Sequence, residues 1–159
     1  MQFAKAVQTL CDGRVEFVII GGVAAYAHGY GQATLDLDIC YSQSKPNLGR
    51  LAAALAPFHP RLRDLPPDLP FVWDEVTLQN GSVFTLSSDL GSIDVMAEVP
   101  GVGDYESVRN NSIEVTAFGR QVRILSLQSL IASKRASGRP KDLDALPALE
   151  SLAEAAGSE

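Results

Sequence analysis

The sequence predicts an α+β fold, a mixed β-sheet with helices packed on it and a pair of helices at the C-terminal end. Three observations carry this expectation. In the first third of the chain, short apolar runs rich in β-branched residues, "VEFVII" and "LDLDICY", alternate with segments of helical spacing. Between residues 82 and 126 strand-like runs dominate, separated by turn residues. Two helical patterns, "LQSLIASKRAS" and "DLDALPALESLAEAA", close the chain.

Each element has its own justification. Residues 2–12 carry Phe3, Val7, Leu10 and Cys11 at helical spacing, and Gly13 ends the run. "VEFVII" reads as a buried strand entering Gly21-Gly22, and "VAAYAHG" as a short helix stopped by Gly29. In "LDLDICY", Leu35, Leu37 and Ile39 are expected on one strand face, leaving Asp36 and Asp38 together on the other. "NLGRLAAALAPF" predicts a helix with Leu48, Leu51, Ala52 and Leu55 on one side. Four prolines in "HPRLRDLPPDLP" exclude a long regular element, so an ordered surface loop is expected there. The strands "SVFTLSS" and "GSIDVMAEV" are joined at "DLG", and "SIEVTAFG" and "QVRILS" at a Gly-Arg turn. The two final helices are separated by Gly138-Arg139-Pro140. With 159 residues, no internal repeat and no low-complexity tract, the expected organisation is one domain over 1–159.

Composition narrows the function classes. The formal net charge of −6 supplies no global basic field to attract nucleic acid, although basic residues cluster in "KRASGRPK", residues 134–141. Cys11 and Cys40 form neither a disulfide framework nor a metal-ligand spacing, and Cys40 reads as a small core residue. Residues 1–14 hold no long apolar stretch, so a cytoplasmic protein without a membrane anchor is expected. The absence of G-x-G-x-x-G after the first strand argues against a dinucleotide-binding fold.

The chemistry centres on carboxylates. Residues i and i+2 of a strand lie about 6.6 Å apart at Cα and share a face, so Asp36 and Asp38 can converge on a divalent cation. A lone D-x-D is also the pattern of a solvated strand face. Asp94 sits mid-strand between the apolar Ile93 and Val95, on the face opposite to theirs, where β-propensity disfavours an acid. The Gly21-Gly22 pair between strand and helix permits close backbone approach to a ligand and to phosphate, though many such turns need glycine for steric reasons alone. Three carboxylates with a glycine turn suit two-metal phosphoryl-type transfer, with Asp94 as general base or shared ligand. Lys134 falls on the apolar stripe of Leu127, Leu130 and Ile131, and so needs an anionic partner or a solvated head. Asp142 follows Pro140, where an acid favours a first helical turn. His28, at the end of the helix after the glycines, reads as packing or capping, and Tyr26, Tyr30 and Trp73 as core or rim with a base-stacking alternative.

Taken together, "GGVAAYAHG", "QATLDLD" and "LIASKRASGRPKDLDAL" resemble the nucleotidyltransferase superfamily, of DNA polymerase β-like fold. Within it, the chain is most similar to bacterial abortive-infection nucleotidyltransferases, which include toxins of toxin–antitoxin pairs. The resemblance spans about Val18 to Leu146. It implies catalytic and metal-binding roles for Asp36, Asp38 and Asp94, and nucleotide contacts from Gly21, Gly22, Thr34 and Lys134. It also implies that Asp142 orients Lys134. The cofactor would be Mg²⁺, as two ions, with Mn²⁺ as substitute. The substrates would be an NTP and a hydroxyl acceptor on tRNA, protein or a small molecule, with an antitoxin as partner. The pattern departs at Gln32, where arginine is usual, and glutamine supplies neither charge nor a bidentate fork. A catalytically weak nucleotide- or partner-binding module of the same fold therefore stands beside the enzyme reading.

Overall fold

A computed structural model of the chain describes residues 1–31 and 34–157. Gln32 lies outside the described residues. Helix α1 (Phe3–Asp12) buries Ala6, Val7 and Leu10, with Phe3 and Cys11 packed at the margin of the core. Strand β1 (Phe17–Ile20) is buried at all four positions, as a central strand covered on both faces must be. Helix α2 (Gly21–Ala27) begins at the glycine pair itself, two residues before the expected start, and Gly29 beyond its end takes a φ of +104°. Strand β2 (Leu37–Tyr41) buries Leu37 and Ile39 fully. Leu35 does not join them: the strand starts two residues later than expected and Leu35 is 83% exposed. Helix α3 (Lys45–Leu55) is capped by Ser44, whose hydroxyl accepts from Asn47 N, and it buries Leu48, Leu51, Ala52 and Leu55 as predicted.

The proline-rich segment contributes one short edge strand, β3 (Arg61–Leu62). Helix α4 (Glu75–Gln79) then leads to β4 (Val83–Ser88) and β5 (Gly91–Met96). The expected strand 91–99 is broken after Met96, its end pairing instead as β6 (Glu98–Val99) with β7 (Gly103–Asp104). Helix α5 (Tyr105–Asn110) precedes β8 (Ser112–Ala117) and β9 (Arg120–Leu125). Helices α6 (Leu127–Ser137) and α7 (Pro140–Gly157) pack on one another, separated at Gly138, whose φ is +63°.

The main sheet has seven strands in the order β3-β4-β5-β2-β1-β9-β8. It is mixed: β2 runs parallel to β5 and β1 parallel to β9, while β1–β2, β3–β4, β4–β5 and β8–β9 are antiparallel. The core gathers Val18, Ile19, Leu37, Ile39, Ile93 and Val95 from the three central strands together with side chains of α1, α3 and α6. Cys40 is part of it: burial pushes its thiol up to about 12, and its Sγ–H donates to Ala97 O at 3.6 Å. No helix among the described residues is long and apolar enough to cross a membrane.

Candidate active site

The parallel pairing of β2 with β5 sets the geometry. Leu37 lies opposite Ile93 and Ile39 opposite Val95, so the apolar residues of both strands take one face. Asp38 and Asp94, register partners between them, share the other. Adjacent strands are about 4.8 Å apart, which brings the two carboxyl groups together. The Asp38 carboxyl is pushed up to about 7 by burial first, then by the negative charges of Asp94 and Asp36 and a hydrogen bond with Asp94, against the pull of Lys134.

Asp36 precedes the strand and is held by a local turn. Thr34 Oγ1 donates to Asp36 O at 3.2 Å and accepts from Asp36 N at 3.4 Å. The glycines make room for Asp38 and Thr34. Gly21 has a φ of +64°, and a Cβ there would collide with Asp38 Oδ2. A Cβ on Gly22 would lie 2.7 Å from Thr34 Oγ1. The glycine pair is thus needed because the first turn of α2 lies directly against Asp38 and Thr34.

These residues open onto a cavity of about 500 Å³, whose wall includes Gly21, Gly22, Thr34, Asp36, Asp38 and, from the C-terminal helices, Lys134. Tyr30 also lines it. Lys134 Nζ donates to Asp142 Oδ1 at 3.2 Å, and Arg139 Nε donates to Asp142 Oδ2 at 2.7 Å. The Asp142 side chain is 1% exposed. Burial works to raise its pKa, but the hydrogen bonds and charges of Arg139 and Lys134 prevail and hold it below the usual carboxylate range. Asp142 therefore braces Lys134 while standing in the first turn of α7. Arg135 and Arg139 keep largely solvated side chains, 60% and 62% exposed, with Arg135 paired to Glu150.

Asp94 is placed differently from the other two acids. It lies beside Asp38 but receives Arg63, whose Nη2 donates to Asp94 Oδ1 at 2.7 Å and whose Nη1 donates to Leu86 O at 2.9 Å. Arg63 was missed in the sequence. A signal existed, since three acids converging on one face require a cation, but nothing local links "HPRLRDLPPDLP" to a strand 31 residues away.

The aromatic residues separate by the same geometry. Trp73 donates its indole N–H to Ala52 O at 3.0 Å and meets Phe84 edge-on at 6.5 Å, a structural role. Tyr26 is 66% exposed. His28 Nε2 donates to Leu125 O at 2.8 Å, tying the end of α2 to β9.

The donor set suits a hard divalent cation at Asp36 and Asp38, two carboxylates that line the same cavity. Asp94 already has a cation in Arg63. Among the described residues, no three acidic, histidine or cysteine side chains are gathered closely enough to hold a metal ion together.

No protein-family model and no curated protein matches the chain. Solved structures do. A provisionally assigned nucleotidyltransferase from Thermotoga maritima aligns over 99% of this chain and 91% of its own, at 13% identity and a TM-score of 0.52. The antibiotic-resistance factor ANT(2'')-Ia in solution aligns over 99% and 90%, at 16% identity and a TM-score of 0.56. The crystal structure of ANT(2'')-Ia with adenylyl-2''-tobramycin aligns over 98% and 95%, at 17% identity and a TM-score of 0.56. At such identities the likeness is one of architecture. This chain has a nucleotidyltransferase-like fold.

Proposed function

We propose that the protein is a nucleotidyltransferase that moves a nucleoside monophosphate from an NTP to a hydroxyl acceptor. The observation that carries this reading is the register pairing of Asp38 with Asp94 on parallel strands, next to a cavity that Asp36, Asp38 and Lys134 line together. The acceptor oxygen attacks the α-phosphorus and forms a new P–O bond, the α–β bridging bond breaks, and pyrophosphate leaves. The acceptor proton passes to a carboxylate oxygen of Asp94. Lys134, held by Asp142, binds the triphosphate, while the backbone at Gly21 and Gly22 lets it approach. Thr34 positions Asp36 through their turn. Asp36 and Asp38 would hold Mg²⁺, or Mn²⁺ in its place, while Asp94, paired with Arg63, would stay beside them as the base. When bound, the cation neutralises phosphate charge and activates the acceptor hydroxyl.

Two acceptor classes draw support. ANT(2'')-Ia has been crystallised with a nucleotidylated aminoglycoside, which supports a small polyol as acceptor here. The net charge of −6 weighs against a broad RNA surface, although Lys134, Arg139 and Lys141 give the cavity a local basic rim that suits a tRNA end. A toxin role with an antitoxin partner rests on the motif resemblance alone. A second reading, a nucleotide-binding module with weak catalysis, is favoured by the Arg63 contact that already occupies Asp94. Pyrophosphate release with each NTP, run beside calorimetry in Mg²⁺ and in EDTA, decides between the two. Release identifies the enzyme; Mg²⁺-dependent binding without release, across total RNA, protein and aminoglycoside acceptors, identifies the module.

A further inference from the structure

Arg63 is anchored at three points before any ligand arrives. Its backbone N–H donates to Thr85 O at 2.8 Å, prolonging the β3–β4 pairing by one residue. Its guanidinium then crosses β4, donating one Nη to Leu86 O and the other to Asp94 Oδ1. Because Leu86 O fixes one arm of the planar fork, the other arm is pre-aimed, which a flexible ammonium would not achieve. The pair is sheltered: the side chain of Arg63 is 30% exposed and that of Asp94 is 18% exposed. Lys134, which lines the cavity with Asp36 and Asp38, pairs with Asp142 rather than with Asp94.

We propose that Arg63 is a positioning residue of this site: it clamps one oxygen of Asp94 and offsets its charge, leaving the divalent cation to Asp36 and Asp38 and the second Asp94 oxygen to the acceptor hydroxyl. The inference rests on the nucleotidyl-transfer reading, but its charge component is measurable without turnover. Removing Arg63 uncovers a carboxylate beside the cation pair, so divalent ions bind more tightly while the reacting geometry is lost.

The test is a Mn²⁺ titration followed by the spectroscopic signal of the free ion, on the parent, Arg63→Gln and Arg63→Lys, each first shown folded by a denaturation curve. Arg63→Gln is expected to bind Mn²⁺ about tenfold more tightly. Its kcat is expected to fall about a hundredfold with KM for the NTP within about threefold. Arg63→Lys retains the charge without the fork, so Mn²⁺ affinity returns to within about twofold of the parent while kcat stays depressed. Unchanged or weaker Mn²⁺ binding by Arg63→Gln overturns the proposal, as does full kcat in Arg63→Lys. If Arg63→Gln does not fold, Arg63→Lys decides through its Mn²⁺ affinity and kcat. Should the parent transfer no nucleotide, the transfer reading fails separately, and the titration still decides whether Arg63 governs the charge at the acids.

Discussion

Gly21 shows how one missing side chain makes the carboxylate site possible. Its positive φ and its contact with Asp38 Oδ2 exclude a Cβ on two separate grounds, conformation and space. Gly21→Ala is expected to cost about 1–3 kcal/mol, the range for a residue forced into a strained backbone region, with further loss from displacing Asp38. Chemical denaturation measures the first effect, and Mn²⁺ affinity the second. Asp38 yields a pH-dependent prediction. Its folded-state carboxyl is raised to about 7, mainly by burial and then by Asp94, so between about pH 4 and 7 the native state binds more protons than the unfolded chain. In EDTA, stability should therefore fall as pH rises through that window. Asp38→Asn should flatten the slope and equal or exceed the parent in stability at pH 8. A parent profile that rises from pH 4 to 7 would show that Asp38 is ionised and well partnered. Asp36, Asp38 and Asp94 were legible as residues because acids inside apolar alternation stand out. Arg63 was not, because its partner is supplied by register across two strands.

At the scale of elements, α6 and α7 meet through the Lys134–Asp142–Arg139 cluster, in which a buried carboxylate receives two cations. Lys134→Ala is expected to weaken NTP binding by about 1.5–3 kcal/mol, the range for charge-assisted hydrogen bonds, in calorimetry with Mg²⁺ present. Lys134→Met preserves the apolar stem and should show nearly the same loss; equal binding to the parent would return this lysine to a packing role. The folded-state pKa of Asp142 is depressed, so its stabilising effect is fully present above its ordinary value near 4 and disappears as pH falls through the folded one. Asp142→Asn should accordingly lower stability near neutral pH, and the difference from the parent should shrink in acid. The long elements were readable from periodicity. The elements missed, β3, α4, α5 and β7, span two to six residues each, too few for a period to show. Two had another signal: Asp74 accepts from Thr77 N and Asp104 from Ser107 N, N-caps that begin α4 and α5.

For the whole molecule, the mixed sheet brings Asp38 of β2, with Asp36 just before it, to a cavity lined also by residues of the C-terminal helices, while Asp94 of β5 stands beside Asp38 outside that lining. Ligand binding should therefore stabilise the fold as a unit. Mg²⁺-NTP at a hundredfold excess over its Kd adds about 2.7 kcal/mol, which for a chain of this size raises Tm by about 5–10 °C. Differential scanning calorimetry reads the shift directly. Neither Mg²⁺ in Asp38→Asn nor NTP in EDTA should reproduce it. A full shift from NTP in EDTA would separate nucleotide binding from the carboxylates and support the binding-module reading.

The sequence by itself determined the α+β class, the principal strands and helices, and the residue types that bear the chemistry, because these follow from local periodicity and from the cost of placing acids among β-branched neighbours. Its exposed Leu35 is a local pattern overruled: the alternation begins at Leu35, but the strand begins at Leu37. Only the tertiary structure decided that Asp38 faces Asp94, that Gly21 must stay bare for Asp38, and that Arg63 reaches Asp94. Each depends on which strands lie side by side and in what register, and that is set by burial across the entire sheet rather than by any one segment.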